Sequence, residues 1–214
     1  MPIQRRSILF APFCVAALAA CGRKPRLAAV PAGASVLALG DSITWGTGAT
    51  PETSYPAALA TLTGWNVVNA GVPGDTSAGA LARLPELLRQ HSPQLVLVSI
   101  GGNDFLRRLG PAETRANIRG ICQLAAAAGA QVLLVGVPEA SALAAVARSL
   151  SDHPLYKELS TELKLPLHPG GWAAVLGDPA LRSDPIHANA RGYAEFARGL
   201  AQTAREVGLW ASPR

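Results

Sequence analysis

Val36-Leu37-Ala38-Leu39-Gly40-Asp41-Ser42-Ile43-Thr44 is an apolar run that ends in Gly and Asp and delivers a serine. A run of this length without polar alternation reads as a strand covered on both faces, the hallmark of a parallel sheet, and such sheets place their ligand sites at the carboxyl ends of strands. Ser42 stands where a nucleophile belongs. Gly-Asp-Ser is also ordinary turn chemistry, with Gly for a positive φ and Asp and Ser for hydrogen bonds to their own backbone. The rest of the chain has to decide between the two.

Working outward, the pattern repeats. Asn66 to Ala70, Leu95 to Ile100 and Gln131 to Val137 read as further strands. Between them, Tyr55 to Leu62, Ser77 to Gln90 and Thr114 to Ala128 carry helical spacing, with Leu81, Leu84, Leu87 and Leu88 on one face of the second. This alternation predicts a doubly wound parallel sheet with helices on both faces. Beyond Pro138 the pattern is harder to follow. Ser141 to Leu150 and Leu155 to Leu163 read as helices, Leu165 to His168 as a last strand, and Asn189 to Val207 as an amphipathic helix.

The first twenty residues are a separate object. Arg5-Arg6 precedes an apolar run from Ile8 to Ala20, the layout of a secretory signal and too short to span a bilayer at about twenty residues per crossing. Leu18-Ala19-Ala20-Cys21 resembles the bacterial lipobox, in which cleavage precedes a cysteine that becomes lipidated; an ordinary cleaved signal is the alternative. The expected organisation is a signal peptide over 1–20, a lipidated Cys21 with a Pro/Gly/Ala-rich tether over 21–34, and a catalytic domain over 35–208. The protein is then expected on the periplasmic side of a bacterial membrane, held there by the lipid. With Cys14 removed and Cys21 modified, Cys122 is left alone on an apolar helical face, where a free thiol reads as core.

The 214 residues are 49% apolar and 15% charged, with a net charge of +5, which suits one well-covered domain. Basic residues pair only as Arg5-Arg6, Arg23-Lys24 and Arg107-Arg108, so no clustered footprint for nucleic acid exists. The four histidines lack His-x-x-x-His or Cys-pair spacing, and neither a metal nor a cofactor is expected. The expected state is a monomer.

A serine hydroxyl needs a base to take its proton, and the base needs an acceptor on its other ring nitrogen. His187, three residues after Asp184 in Asp184-Pro185-Ile186-His187, supplies both from one loop. Donors for a developing oxyanion are available from the Ser42 N–H, from Gly74, which has no Cβ to obstruct its amide, and from the Asn103 side chain. His168, His153 and His91 lack a carboxylate so placed or read as helix-end residues. Asp41 and Asp104 read as ties within their own turns. Trp45 and Tyr55 are candidates either for an acyl pocket or for core.

Gly40-Asp41-Ser42, the Asn69 to Thr76 segment, Gly101-Gly102-Asn103-Asp104 and Asp184-Pro185-Ile186-His187 occur in the order of the four blocks of the SGNH hydrolase superfamily, the GDSL esterases and lipases. The chain is most similar in pattern to the bacterial periplasmic acyl-CoA thioesterase I, lysophospholipase and arylesterase group, sharing Gly74-Asp75-Thr76 and Ala82-Arg83-Leu84-Pro85. The resemblance spans residues 35 to 205. It implies a three-layer α/β/α sandwich with a central parallel sheet of flavodoxin-like order. It also implies a triad of Ser42, His187 and Asp184, an oxyanion hole of Ser42, Gly74 and Asn103, and a small acyl ester or thioester as substrate. A carbohydrate O-acetyl esterase of the cell envelope, and a non-catalytic lipoprotein binding acyl chains or glycans, are the alternatives. Pro73 and the bulky run Phe105-Leu106-Arg107-Arg108-Leu109 depart from the group's pattern and bear on substrate preference.

Overall fold

In the computed structural model, which describes residues 27–139 and 150–211, five strands form one parallel sheet. They are β1 (Ser35–Gly40), β2 (Asn66–Gly71), β3 (Leu95–Ser99), β4 (Gln131–Val135) and β5 (Leu167–His168), in the order β2-β1-β3-β4-β5. Every pairing is parallel. Helices cover both faces, giving the three layers expected. β3 is buried at all five positions and β1 at five of six, because a strand under helices on both sides has no solvent face to make polar.

Among the described residues the α-helices are α1 (Ser42–Trp45), α2 (Tyr55–Thr63), α3 (Ser77–His91), α4 (Gly102–Leu106), α5 (Pro111–Ala127), α6 (Pro154–Leu163), α7 (Gly171–Gly177) and α8 (Ala190–Glu206). α8 buries Tyr193, Phe196, Ala197, Leu200, Ala201 and Ala204, the three-and-four spacing of one helical face. The α7 residue Trp172 stacks on Phe196 with ring centroids 3.5 Å apart, and Tyr55 meets Phe196 edge-on at 5.0 Å. Tyr55 is therefore core, whereas Trp45 is 54% exposed.

Three short helices were not expected. α1 and α4 each follow a strand directly and look like turns in sequence, and α7 begins inside the Pro169-Gly170-Gly171 stretch read as a break. The helix expected over Ser141 to Leu150 lies outside the described residues apart from Leu150, and so do the leader, Cys14 and Cys21.

Leu27 to Ala34, read as part of a tether, packs onto the domain. Val30 is 3% exposed and Leu27 packs on the core. The Val30 N–H donates to the Leu209 carbonyl at 2.8 Å, and the Val30 carbonyl accepts from the Trp65 indole at 3.0 Å. Val, Leu and Ala side chains in this stretch have apolar surface to bury, worth about 1.5–3 kcal/mol for a full Val or Leu, and a Pro/Gly-rich composition does not prevent it.

Candidate active site

The order β2-β1-β3 changes the direction of winding between β1 and β3, so the crevice at their carboxyl ends is the topological switch point of the sheet. Ser42 follows β1 and Asn103 follows β3, which places both there. Asp41 caps α1 by accepting the Ile43 N–H at 3.0 Å, and this turns the chain sharply so that Ser42 starts the helix. Asp41 is 4% exposed, and burial pushes its carboxyl up to about 6 against the pull of the Ile43 hydrogen bond.

The Gly74 turn is brought alongside by close packing. β2 ends against α1, where a Cβ on Gly71 would lie 2.1 Å from the Trp45 nitrogen, so only glycine allows the approach. Val72-Pro73-Gly74-Asp75 then closes a turn with the Asp75 N–H donating to the Val72 carbonyl at 3.0 Å and Gly74 at φ +78°. Pro before a positive-φ glycine is the sequence signature of a type II turn.

His187 arrives on the loop before α8. Asp184 Oδ1 accepts the Ile186 and His187 backbone N–H groups, both at 2.8 Å, while Oδ2 lies 2.7 Å from His187 Nδ1. An ionised carboxylate only accepts, so Nδ1 carries the proton and Nε2 is left with its lone pair. That atom lies 3.0 Å from Ser42 Oγ and accepts the hydroxyl. Burial raises the Asp184 carboxyl, but the His187 hydrogen bond and the two amides outweigh it and hold the group below its ordinary value. Tyr193 of α8 donates to the Thr47 carbonyl at 2.7 Å, tying the helix behind His187 to the loop after Ser42.

Asn103 Nδ2 donates to the Asp75 carbonyl at 2.9 Å, which aligns the α4 start with the Gly74 turn. Ser42, Gly74, Asn103, His187 and Asp184 are thus assembled at one sheet edge from four separate loops. Asp104 departs from the expected role. It is 1% exposed, and instead of closing its own turn it accepts the Ser77 N–H at 2.9 Å, the Ser77 hydroxyl at 2.5 Å and the Thr114 hydroxyl at 3.2 Å, pinning the α3 start.

Other candidates lie elsewhere. His168, at the end of β5, faces Thr203 at 2.7 Å, and burial drives its pKa down to about 4. His153 caps α6, with Nδ1 accepting the Leu155 N–H at 3.2 Å, and its ring stacks on Phe105 at 4.6 Å. His91 sits in the last turn of α3. Cys122 is 2% exposed, with burial pushing its thiol up to about 12, so it offers no thiolate. Among the described residues no cluster of three His, Cys, Asp or Glu side chains could hold a metal.

The sequence reading missed the role of Arg83. Its Nε donates to Asp75 Oδ2 at 2.8 Å and its Nη2 to the Gly40 carbonyl at 2.9 Å, so one guanidinium joins the end of the Ser42 strand to the Gly74 turn. The available signal was the shared run Ala82-Arg83-Leu84-Pro85, which sets one arginine beside the leucine face of α3. Replacement by Met removes two charge-assisted hydrogen bonds, each worth about 1.5–3 kcal/mol, and each kcal/mol lost lowers Tm by about 2–4 °C at this size. Arg83→Met is expected to melt several degrees lower, and Arg83→Lys to recover little, because an ammonium lacks the fork. Thermal melts of both variants check this.

Four exposed apolar side chains come from the segments that carry these residues: Trp45 from α1, Val72 from the Gly74 turn, and Leu106 and Leu109 from and after α4, at 54, 43, 44 and 40% exposure. Arg107 Nη2 bonds the Gly74 carbonyl at 2.8 Å, fastening the α4 end to that turn.

Residues 38–195 match the GDSL-like Lipase/Acylhydrolase family. The thioesterase 1/protease 1/lysophospholipase L1 of Escherichia coli is 38% identical over 162 residues, covering 72% of this chain and 76% of that protein. Esterase TesA of Pseudomonas aeruginosa is 43% identical over 108 residues, 48% of this chain, so the matched stretch spans 54% of that relative. Among solved structures, a TesA crystal structure superposes with a TM-score of 0.70 at 30% identity, covering 81% of this chain and 99% of the other. The SGNH-hydrolase esterase AlinE4 gives 0.62 at 30% identity, covering 87% and 100%. With four ordered blocks, the sheet order and these matches in agreement, the chain belongs to the GDSL-like lipase/acylhydrolase family of SGNH esterases.

Proposed function

We propose that the protein hydrolyses carboxylic ester or thioester bonds of acyl substrates through Ser42, His187 and Asp184. The observation that carries this reading is the continuous relay from Asp184 Oδ2 to His187 at 2.7 Å and from His187 Nε2 to Ser42 Oγ at 3.0 Å. Ser42 Oγ attacks the acyl carbon as its proton passes to Nε2, and Asp184 stabilises the imidazolium that forms. The negative oxygen of the tetrahedral intermediate is met by the Ser42 and Gly74 N–H groups and the second Asn103 amide hydrogen. When the intermediate collapses, Nε2 returns the proton to the leaving alcohol or thiol. Water then repeats the sequence on the acyl-enzyme and releases the carboxylic acid.

The exposed side chains of Trp45, Val72, Leu106 and Leu109 offer apolar surface for an acyl chain, and the E. coli relative's name includes both thioesterase and lysophospholipase. A medium or long acyl chain is the substrate class that such a surface fits, since each buried CH2 contributes about 0.8 kcal/mol. Cys21, following Leu18-Ala19-Ala20, is the proposed site of lipidation after removal of the 1–20 leader, leaving the catalytic domain on the periplasmic face of a membrane.

Initial rates on p-nitrophenyl esters from acetate to palmitate test the reading, with Ser42→Ala as the blank. The expected result is a Ser42-dependent rate that peaks at medium or long chains. A rate confined to acetate would overturn the acyl-chain assignment and leave a short-acyl deacetylase. Absence of any Ser42-dependent rate would overturn the hydrolase assignment for these esters.

A further inference from the structure

The proposed tether is much shorter than its composition suggests, and it is rooted at the edge of the sheet opposite to Ser42. Ala28 exchanges hydrogen bonds with the Gln131 side chain, both at 2.8 Å, and Gln131 opens β4. Gly33 donates to the Gly64 carbonyl at 2.7 Å, and the Trp65 indole holds the Val30 carbonyl; both partners immediately precede β2. In a parallel sheet the strand starts share one edge. Leu27 to Ala34 therefore lines the amino edge, while Ser42, Gly74 and Asn103 follow the carboxyl ends of β1, β2 and β3.

Between Cys21 and Leu27 there are six residue steps. Six steps reach about 21 Å at the very most, whatever their conformation. The six residues of β1 alone separate the two edges by about 20 Å. Loops and helix starts add to each end, and a domain running from 27 to 211 is about 40 Å across. Turning the Ser42 mouth onto the bilayer would lift Leu27 farther from it than the tether reaches. Had the tether continued to Ala34, its fourteen steps to Ser35 would have reached about 49 Å, and the mouth would have been free to turn.

We infer that the lipid-anchored enzyme holds its active site facing away from the membrane that anchors it and takes acyl esters or thioesters dispersed in the aqueous phase, not those resident in that bilayer. The exposed Trp45, Val72, Leu106 and Leu109 then meet a chain arriving from solution. The inference rests on the ester-hydrolase reading and on a lipid at Cys21.

The test uses the full chain, processed in bacteria, purified and reconstituted into phosphatidylcholine vesicles dilute enough to make encounters between vesicles negligible. One variant carries an insertion of about 20 Gly and Ser residues after Gly22, a length whose average span covers the shortfall. Two substrates are compared: soluble p-nitrophenyl butyrate, and a fluorogenic palmitoyl ester kept in the same bilayer by a second, ether-linked alkyl chain. The expected result is equal butyrate rates, with the bilayer-held ester cleaved at least about ten-fold faster by the insertion variant, because the longer tether raises the effective concentration of the mouth at the surface. Equal rates on the bilayer-held ester would overturn the orientation alone. If Cys21→Ser remains with membranes as fully as the parent chain, the anchor reading fails and the orientation falls with it. If neither protein cleaves any soluble p-nitrophenyl ester from acetate to palmitate, the failure lies with the hydrolase reading.

Discussion

Ser42→Ala is expected to lower kcat by about 10^6-fold, the scale seen when a triad nucleophile is removed, while leaving the melting temperature nearly unchanged. The two readouts separate because the Ser42 hydroxyl bonds His187, whereas the turn that carries it is held by Asp41 through the Ile43 N–H. Ala keeps the first helical position of α1, and helix propensity there is not lost. Turnover on a p-nitrophenyl ester, measured beside a thermal melt, checks both halves. Retained turnover in a folded Ser42→Ala protein would remove Ser42 from the chemistry. Lost turnover with a collapsed melt would place the effect in the fold.

Asn103→Ala is expected to lower kcat by about 10^2 to 10^3-fold with KM changed little, since a donor aimed at the oxyanion strengthens its bond only as charge develops. One amide hydrogen is committed to the Asp75 carbonyl at 2.9 Å, which orients the group; the other is the proposed oxyanion donor. Ala also strands the Asp75 carbonyl, so a modest loss of stability, about 1 kcal/mol, accompanies the kinetic effect. Separate determination of kcat and KM decides the matter. A variant that raises KM and spares kcat would show that Asn103 binds substrate uniformly and plays no part in the oxyanion hole.

Ser42 and Asn103 differ in what they need from the surrounding structure. Ser42 needs His187 at 3.0 Å, and that distance is set by the amides that hold Asp184 within its own turn and by Tyr193, bonded to Thr47 across 146 positions. Asn103 needs the Gly74 turn, and that turn is held from outside the site. Arg83 grips Asp75, Asp104 pins Ser77, and Arg107 bonds the Gly74 carbonyl. A parallel sheet delivers its loops to one edge, but nothing in the strand geometry fixes their mutual distances. Polar braces from α3 and α4 supply that.

Much of this was legible from the residues alone. Unbroken apolar runs in Leu95–Val98 and Val36–Leu39 specify strands buried on both faces, and the leucine spacing of Ser77–His91 specifies a helix laid over them. Strand, helix and hydrophobic face are local properties, encoded by periodicity within a dozen residues. The same holds for the Asp184 to His187 pairing, because three residues and one turn suffice to bring a carboxylate to its imidazole. What required the tertiary structure depends on residues far apart in the chain. Arg83 touches Gly40 across 43 positions and Asp104 touches Ser77 across 27, so neither partner can be read from spacing. The short α1 and α4 helices owe their form to the packing at the switch point, since runs of four and five residues cannot stabilise a helix by themselves. The attachment of Leu27 to Ala34 was hidden for the same reason: its Pro/Gly/Ala composition describes a linker, and only the surfaces of Trp65, Gln131 and Leu209 turn it into part of the domain.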